Sequence, residues 1–253
     1  MFITNFENNF NNFKYVEFFF NNYWIPNSFV FLYMIFCYYG PKIMENKKAY
    51  DLKHTLAFWN GFLALFSFIG IIRTVPAVLQ SNLSFKDNIC SRDSYDIYRN
   101  GPGGFWFMLF VLSKIPELID TVFIILRKRK LIFLHWYHHI TVLFYCWNSY
   151  SNKLPNGVYF ACMNYFIHAI MYGYYCTKAL NICPKNFPSH IITTLQTTQM
   201  FIGSGICSYT WYNIYYGDCE IYNIFNLIFG SIMYLSYFYL FLEFALKRRL
   251  SRH

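Results

Sequence analysis

Seven long apolar segments recur along the chain, and a short polar loop separates each from the next. They cover approximately residues 23–39, 55–80, 104–126, 131–150, 157–178, 190–212 and 221–246. A helix of roughly 20 apolar residues is long enough to cross the hydrocarbon core of a bilayer. Since that core has no water to bond the backbone, a spanning segment of this kind has to be helical. The pattern predicts an all-α, polytopic membrane protein with seven transmembrane helices.

The composition excludes a single soluble globule. Of the 253 residues, 56% are hydrophobic, 24% are aromatic and 13% are charged, whereas soluble domains carry roughly 25% charged residues. A formal net charge of +9 would suggest a nucleic-acid partner in a soluble protein. Here the Lys and Arg residues cluster at segment ends, which is typical of a topology signal and of a surface that attracts anionic lipid or substrate. We therefore expect no nucleic-acid partner.

Alternate loops differ in their basic residues. The loops at 42–53, 127–130 and 178–185, with the tail from residue 247, hold fourteen Lys or Arg, and the opposite side holds five. The positive-inside rule then predicts a lumenal N-terminus and a cytoplasmic C-terminus. We expect one integral membrane domain over residues 1–253. The sequence leaves open whether the Asn- and Phe-rich residues 1–22 are ordered.

Two of the eight cysteines, Cys90 and Cys219, fall in loops on the lumenal side of this topology. The other six lie in spans or on the cytoplasmic side. An oxidising compartment permits disulfides, so we predict a bond between Cys90 and Cys219. Two free thiols are the alternative, because the sequence does not show that the loops meet.

Three histidines, His135, His138 and His139, lie in the apolar segment LIFLHWYHHITVLFY. Offsets of three and four residues place them on one face of a helix, within an arc of about 100°. One histidine near a helix end is commonly a hydrogen-bonded structural residue, but three on one face suggest a site. A neutral imidazole can act as a base, a nucleophile or a metal ligand, so more than one chemistry is open.

The third segment contains three charged residues, Lys114, Glu117 and Asp120, within KIPELIDT. Each charge facing lipid at the bilayer centre would cost roughly 2.5 to 3.5 kcal/mol. We therefore expect a helical face that turns all three toward the interior of the bundle. A Lys114–Glu117 ion pair that only joins helices is the structural alternative.

Polar residues also interrupt the fifth and sixth segments. The fifth carries Asn164, His168, Tyr172 and Tyr175 in NYFIHAIMYGYY, and the sixth carries Gln196 and Gln199 in TTLQTTQM. Aromatic packing and hydrogen bonding between helices explain such residues equally well. However, the polar groups of four segments fall at one depth, near the predicted cytoplasmic ends. We infer one buried site that opens to the cytoplasm, with the mainly apolar lumenal halves of the segments beyond it. A polar mouth followed by an apolar interior suits an acyl thioester.

The four motifs KIPELIDT, HWYHH, NYFIHAIMYGYY and TTLQTTQM resemble, in order and spacing, the K-x-x-E-x-x-D-T, H-x-x-H-H, N-x-x-x-H-x-x-M-Y-x-Y-Y and T-x-x-Q-x-x-Q boxes of the fatty acid elongases. The resemblance to this ELO family extends from about Tyr50 to Arg249. The residues in and around the second and third motifs look most like those of the branch that elongates saturated and monounsaturated long-chain acyl-CoAs.

The resemblance implies an enzyme of the endoplasmic-reticulum membrane, in which six of seven helices form a barrel around a buried acyl tunnel. It would condense acyl-CoA with malonyl-CoA to 3-ketoacyl-CoA, carbon dioxide and CoA, with no cofactor and no metal. A reductase, a dehydratase and an enoyl reductase would complete the cycle, and a homodimer is expected.

The resemblance also assigns roles to residues. His138 would attack the acyl thioester to form an acyl-imidazole, and His168 would stabilise the enolate or carboxylate of the second step. His135 and His139 would orient the site. The remaining motif residues would shape it: Lys114, Glu117, Asp120, Asn164, Tyr172, Tyr175, Gln196 and Gln199.

Basic residues on the cytoplasmic side are candidates for binding the phosphates of CoA, which favour Lys and Arg. They include Lys128, Lys178, Lys185, Lys247 and Arg248. Topology signalling explains the same residues without CoA, and both interpretations stay open.

The rival chemistry is a metal-dependent membrane desaturase or hydroxylase with histidine boxes. The chain has seven histidines, and His54, His190 and His253 lie outside the motifs. Only four remain, which is too few for a histidine-rich di-iron centre, although a single metal at these four satisfies the ligand count. A receptor or lipid carrier would not need three charges and three histidines at one depth.

Overall fold

The computed structural model describes residues 2–80, 83–90, 100–184, 186–219 and 223–250, with side chains described between residues 5 and 247 of these ranges. Every regular element in them is helical, which confirms the all-α class. The α-helices are α1 (Phe2–Asn8), α2 (Phe13–Asn21), α3 (Trp24–Met44), α4 (Lys53–Gln80), α5 (Phe85–Cys90), α6 (Gly101–Ser113), α7 (Ile119–Leu126), α8 (Phe133–Ser151), α9 (Gly157–Leu180), α10 (His190–Tyr215) and α11 (Ile224–Leu250).

Two helices of the described part, α4 and α11, are long and apolar enough to cross a membrane by length and composition. Each of the seven predicted segments coincides with a helix or, for the third, with two helices. The full count of seven spans stays a prediction.

The third segment is not the continuous helix that its spacing predicted. Helix α6 ends at Ser113, a 3-10 turn covers Pro116–Leu118, and α7 begins at Ile119. Proline has no backbone N–H and its ring clashes with the carbonyl four residues earlier, so Pro116 disfavours a continuous α-helix here. Lys114 and Glu117 therefore lie at a helix break, and the prediction that they share one regular helical face was wrong.

The long helices pack in a definite order. α4 lies against α9, α9 against α10, α10 against α11, α11 against α8, α8 against α6, and α6 against α4. α3 packs on α7 and α8 instead. Glycine allows two of these contacts to be close: a Cβ on Gly70 of α4 would lie 2.5 Å from the Tyr165 ring, and one on Gly203 of α10 would collide with Tyr234.

The first 22 residues, whose order the sequence left open, form α1 and α2, which pack on α6 and α8. Phe19 inserts beside Trp147, whose indole N–H donates to the Phe19 carbonyl at 2.9 Å. Glu7 is almost fully buried. It accepts a 2.7 Å hydrogen bond from the indole of Trp106 and pairs with Arg73 at 3.3 Å. These contacts join the N-terminal helices to the bundle.

Cys90 and Cys219 form a disulfide, with their Cα atoms 4.8 Å apart. Beside it, Lys86 and Asp218 form an ion pair at 2.8 Å, and the hydrogen bond to the Asp218 carboxylate raises the pKa of Lys86. The two links hold α5 to the loop that precedes α11.

Glu7→Ala should lower stability, because it leaves the buried indole N–H of Trp106 without its acceptor. We expect a loss of about 1 to 3 kcal/mol, measured as a lower thermal unfolding midpoint of the detergent-purified protein. Glu17→Ala is the matched control, since Glu17 is exposed on α2. Equal effects of the two changes would show that the Glu7 contacts do not stabilise the fold.

Candidate active site

A cavity of about 500 Å³ lies between α4, α7, α8, α9, α10 and α11. All four motif histidines line it: His135, His138, His139 and His168. So do the predicted site-shaping residues other than Lys114, namely Glu117, Asp120, Asn164, Tyr172, Tyr175, Gln196 and Gln199. The polar residues of four separate motifs thus surround one space.

The three histidines of α8 lie in its first two turns, because the helix begins at Phe133. The ring centroids of His135 and His139 are 4.5 Å apart, and those of His138 and His139 are 5.5 Å apart. His135 Nε2 lies 2.9 Å from the hydroxyl of Thr121 on α7. His139 is buried, whereas His135 and His138 are partly exposed and are therefore the more accessible pair.

His138 stands where two cavities meet. It lines the large cavity and a second one of about 30 Å³, whose walls are mainly aromatic and aliphatic. Its ring lies 5.0 Å from the Tyr237 ring of α11, and the Tyr237 hydroxyl donates to the His138 carbonyl at 3.1 Å. Among the described residues, none hydrogen-bonds the His138 imidazole. Its nitrogens are therefore available to a substrate.

His168 belongs to a buried chain of polar groups. Lys114 Nζ lies 2.6 Å from Glu117 Oε1 and donates to Asn164 Oδ1 at 3.1 Å. Because an ammonium can only donate, this bond fixes the amide oxygen of Asn164, and its nitrogen faces His168 Nε2 at 3.1 Å. Nε2 must then accept, so the His168 proton resides on Nδ1, 3.9 Å from Glu117 Oε1.

Asp120 joins three helices through both carboxylate oxygens. The indole of Trp59 on α4 donates to Oδ1 at 2.7 Å, and the hydroxyl of Tyr172 on α9 donates to Oδ2 at 2.7 Å. The Tyr172 ring packs edge-on against His168, with centroids 5.1 Å apart. Asp120 thereby holds the Tyr172 ring in place beside His168.

The two glutamines of α10 differ in their surroundings. Gln196 lies beside Met171, with its amide nitrogen 3.1 Å from the thioether sulfur. Gln199 is buried and lines both cavities, next to His138. Tyr175 is 41% exposed. Gln199 is thus placed to contact a substrate group near His138, and Tyr175 lies at the exposed edge of the cavity.

The basic residues divide into those at the cavity and those elsewhere. Lys178 lines the cavity, as do Arg127 and Arg129. Lys128, with a left-handed φ of 53°, donates instead to the carbonyls of residues 45 and 47 at 2.8 and 3.1 Å. Lys247 pairs with Glu243 at 2.5 Å. Lys185 and the side chain of Arg248 lie outside the described residues.

Several residues that line the cavities or support their walls escaped the sequence analysis. Arg127 and Arg129 were passed over in favour of Lys128, although all three belong to one basic run. Trp59 and Tyr237 lie in apolar segments rich in aromatic residues, so nothing in their spacing marks them. The basic block RKRK indicated that cations lie at this end of the third segment. The sequence did not indicate which of its side chains face the cavity.

Within the described ranges, no three or more His, Cys, Asp or Glu side chains are grouped as ligands for a metal ion. The four motif histidines divide into the α8 group and His168, which is bound to Asn164 and faces Glu117. This arrangement gives the metal-dependent alternative no specific support.

Lys114→Met and Glu117→Gln should each destabilise the protein by about 3 to 5 kcal/mol, because each leaves a buried charge without its partner. The double variant Lys114→Met with Glu117→Leu should recover most of that loss, since it removes both charges. We expect the recovered protein to stay inactive, because His168 then loses the groups that fix its tautomer. Thermal unfolding measures the stability, and formation of the expected product, 3-ketoacyl-CoA, measures the activity. Lys48→Met, at an exposed lysine, is the control. An active double variant would show that the pair is only structural.

Comparison with known proteins shows the family of the chain. Residues 18–252 match the family model described as ELO: GNS1/SUR4 family. The chain is 41% identical over 244 residues to "Very long chain fatty acid elongase 6" of Gallus gallus, covering 94% of this chain and 89% of that protein. It is 40% identical to the protein of the same name from Mus musculus, covering 94% and 90%, and 40% identical to "Putative fatty acid elongase 3" of Caenorhabditis elegans, covering 85% and 72%. This chain therefore belongs to the ELO family of fatty acid elongases.

Proposed function

We propose that this protein is the condensing enzyme of fatty acid elongation. It joins a long-chain acyl-CoA to malonyl-CoA and releases 3-ketoacyl-CoA, carbon dioxide and CoA. The position of His138 supports this most directly, because it connects a wide cavity with a basic edge to a narrow apolar one. In an acyl-CoA the thioester joins the charged CoA to an apolar acyl chain. A nucleophile at the junction of the two cavities is therefore placed to reach it. Family membership supports the same reaction.

In the first step a nitrogen of His138 attacks the thioester carbonyl. A C–N bond forms, the C–S bond breaks, and CoA leaves as the thiol with the imidazole proton. The product is an acyl-imidazole, which is itself a good acyl donor, so one difficult condensation becomes two easier steps. Gln199, which lines both cavities beside His138, is placed to hold the thioester carbonyl.

In the second step malonyl-CoA loses carbon dioxide, and the electron pair of the broken C–C bond remains as an enolate. Its α-carbon attacks the acyl carbonyl, the C–N bond breaks, and the departing imidazole nitrogen of His138 takes a proton from water. His168 carries its proton on Nδ1 next to Glu117 and Lys114. We assign this group the stabilisation of the enolate or the malonyl carboxylate.

The phosphates of CoA bind at the basic edge of the cavity. Arg127, Arg129 and Lys178 supply the cations there. Arginine binds phosphate with two parallel N–H donors, which makes the first two the stronger contacts. Lys128 and Lys247 have other partners, so we assign CoA binding to the cavity-lining residues.

The chain acts as one domain that crosses the endoplasmic-reticulum membrane seven times, with a lumenal N-terminus and a cytoplasmic C-terminus. The order of helix contacts supports a barrel in which α4, α6 with α7, α8, α9, α10 and α11 surround the acyl tunnel, while α3 lies outside. The resemblance of the second and third motifs favours saturated and monounsaturated long-chain acyl-CoAs as substrates. A ketoacyl reductase, a dehydratase and an enoyl reductase consume the product, and two copies of the chain form a homodimer.

His138→Ala should lower the turnover of the purified protein by about 10²-fold or more, because it removes the nucleophile. Formation of 3-ketoacyl-CoA from radiolabelled malonyl-CoA measures this. His54→Ala is the matched control, since His54 is exposed and outside the motifs. Wild-type protein that forms no 3-ketoacyl-CoA would contradict the proposed reaction, and an active His138→Ala variant would contradict the role of His138.

The double variant Arg127→Gln with Arg129→Gln should raise the KM for acyl-CoA by about tenfold and leave kcat nearly unchanged. Tenfold corresponds to a loss of about 1.4 kcal/mol in binding free energy, which is reasonable for two partly exposed phosphate contacts. Lys130→Gln removes a charge from the same run without touching the cavity and should change neither constant. Lys128→Gln should lower the unfolding midpoint instead, because it removes the hydrogen bonds to two carbonyls in the turn that follows α3. An equal rise in KM for Lys130→Gln would indicate general attraction rather than a CoA site.

A further inference from the structure

One residue of the outer helix α3 reaches the site. Tyr33 is buried, and its hydroxyl lies 2.7 Å from Thr121 Oγ1 on α7. Thr121 is fully buried, and the same oxygen lies 2.9 Å from His135 Nε2 on α8. Three polar groups from three helices are thus joined in a line that ends on a histidine of the cavity.

The number of protons in this line limits how it is arranged. Each hydroxyl has one proton to donate, while a neutral imidazole nitrogen either donates or accepts. The phenol of Tyr33 is the strongest of the hydroxyl donors, and the imidazole lone pair is the strongest acceptor. The favoured arrangement therefore runs from Tyr33 to Thr121 and from Thr121 to His135 Nε2.

If Nε2 accepts, His135 must carry its proton on Nδ1. The neutral imidazole has one N–H, and the hydrogen bond at one nitrogen decides the tautomer. His135 lines the large cavity. Since Nε2 is bonded to Thr121, Nδ1–H is the group of this ring that can donate to a bound acyl group. A donor in that position can stabilise the negative charge on the carbonyl oxygen during acyl transfer.

We propose that Tyr33 is a positioning residue that acts through Thr121 to fix His135 as the Nδ1–H tautomer. This inference rests on the proposed condensation reaction. It gives α3, which packs on α7 and α8, a part in catalysis. The four sequence motifs include Thr121 and His135, but they do not include Tyr33.

Four variants test this relay in the purified full-length protein. Thr121→Val keeps the side-chain shape without the hydroxyl, and we expect kcat to fall by about 10 to 100-fold with the KM for acyl-CoA unchanged. Thr121→Ser restores the hydroxyl and should return kcat to within about threefold of wild type. Tyr33→Phe should lower kcat by about fivefold, because Thr121 can still donate. Tyr38→Phe, an exposed change on the same helix, should have no effect.

The double variant Tyr33→Phe with Thr121→Val decides whether Tyr33 acts through Thr121. We expect it to be no slower than Thr121→Val alone, because the hydroxyl that Tyr33 orients is already absent. Independent, multiplying losses in kcat would overturn the proposal, and so would a Thr121→Ser variant as slow as Thr121→Val. Wild-type protein that makes no 3-ketoacyl-CoA would instead refute the reaction itself, so the two failures are distinguishable.

Discussion

A lysine and a glutamate, both almost fully buried, meet where Pro116 breaks the third apolar segment. Neither charge could be left alone there, because an unpaired buried charge costs several kcal/mol. Glu117 pairs with Lys114 at 2.6 Å, and a second N–H of the same ammonium donates to Asn164. Asn164 in turn determines which nitrogen of His168 bears the proton. The helix break, the ion pair and the histidine thus depend on one another.

The site has a polar part and an apolar part, and the helices that frame it are joined by hydrogen bonds at the polar part. Asp120 links α4, α7 and α9 through Trp59 and Tyr172. Tyr237 holds α11 to the first turns of α8. Beyond His138 the smaller cavity is lined mainly by apolar and aromatic side chains. This division matches a substrate with a charged head and a long hydrocarbon tail, with the reactive carbonyl between them.

The sequence predicted the helical class and the motif residues because both leave strong local patterns. The apolar segments are long, and polar residues inside them are costly and therefore conspicuous. The sequence analysis failed where a local backbone feature decides the direction of a side chain. Pro116 interrupts the expected helical face. The left-handed φ of Lys128 turns its side chain toward the turn after α3, while Arg127 lines the cavity. It also failed for Tyr33, because an aromatic residue in an apolar helix looks the same whether it faces lipid or a buried threonine.

The central claim is that His138 carries the acyl group covalently. The most direct measurement is the intact mass of the purified protein after incubation with a long-chain acyl-CoA in the absence of malonyl-CoA. We predict an added acyl mass on wild-type protein and on His54→Ala, none on His138→Ala, and its conversion to 3-ketoacyl-CoA when malonyl-CoA is supplied. Wild-type protein that forms 3-ketoacyl-CoA without any acyl adduct would contradict the covalent route, as would an adduct that persists in His138→Ala.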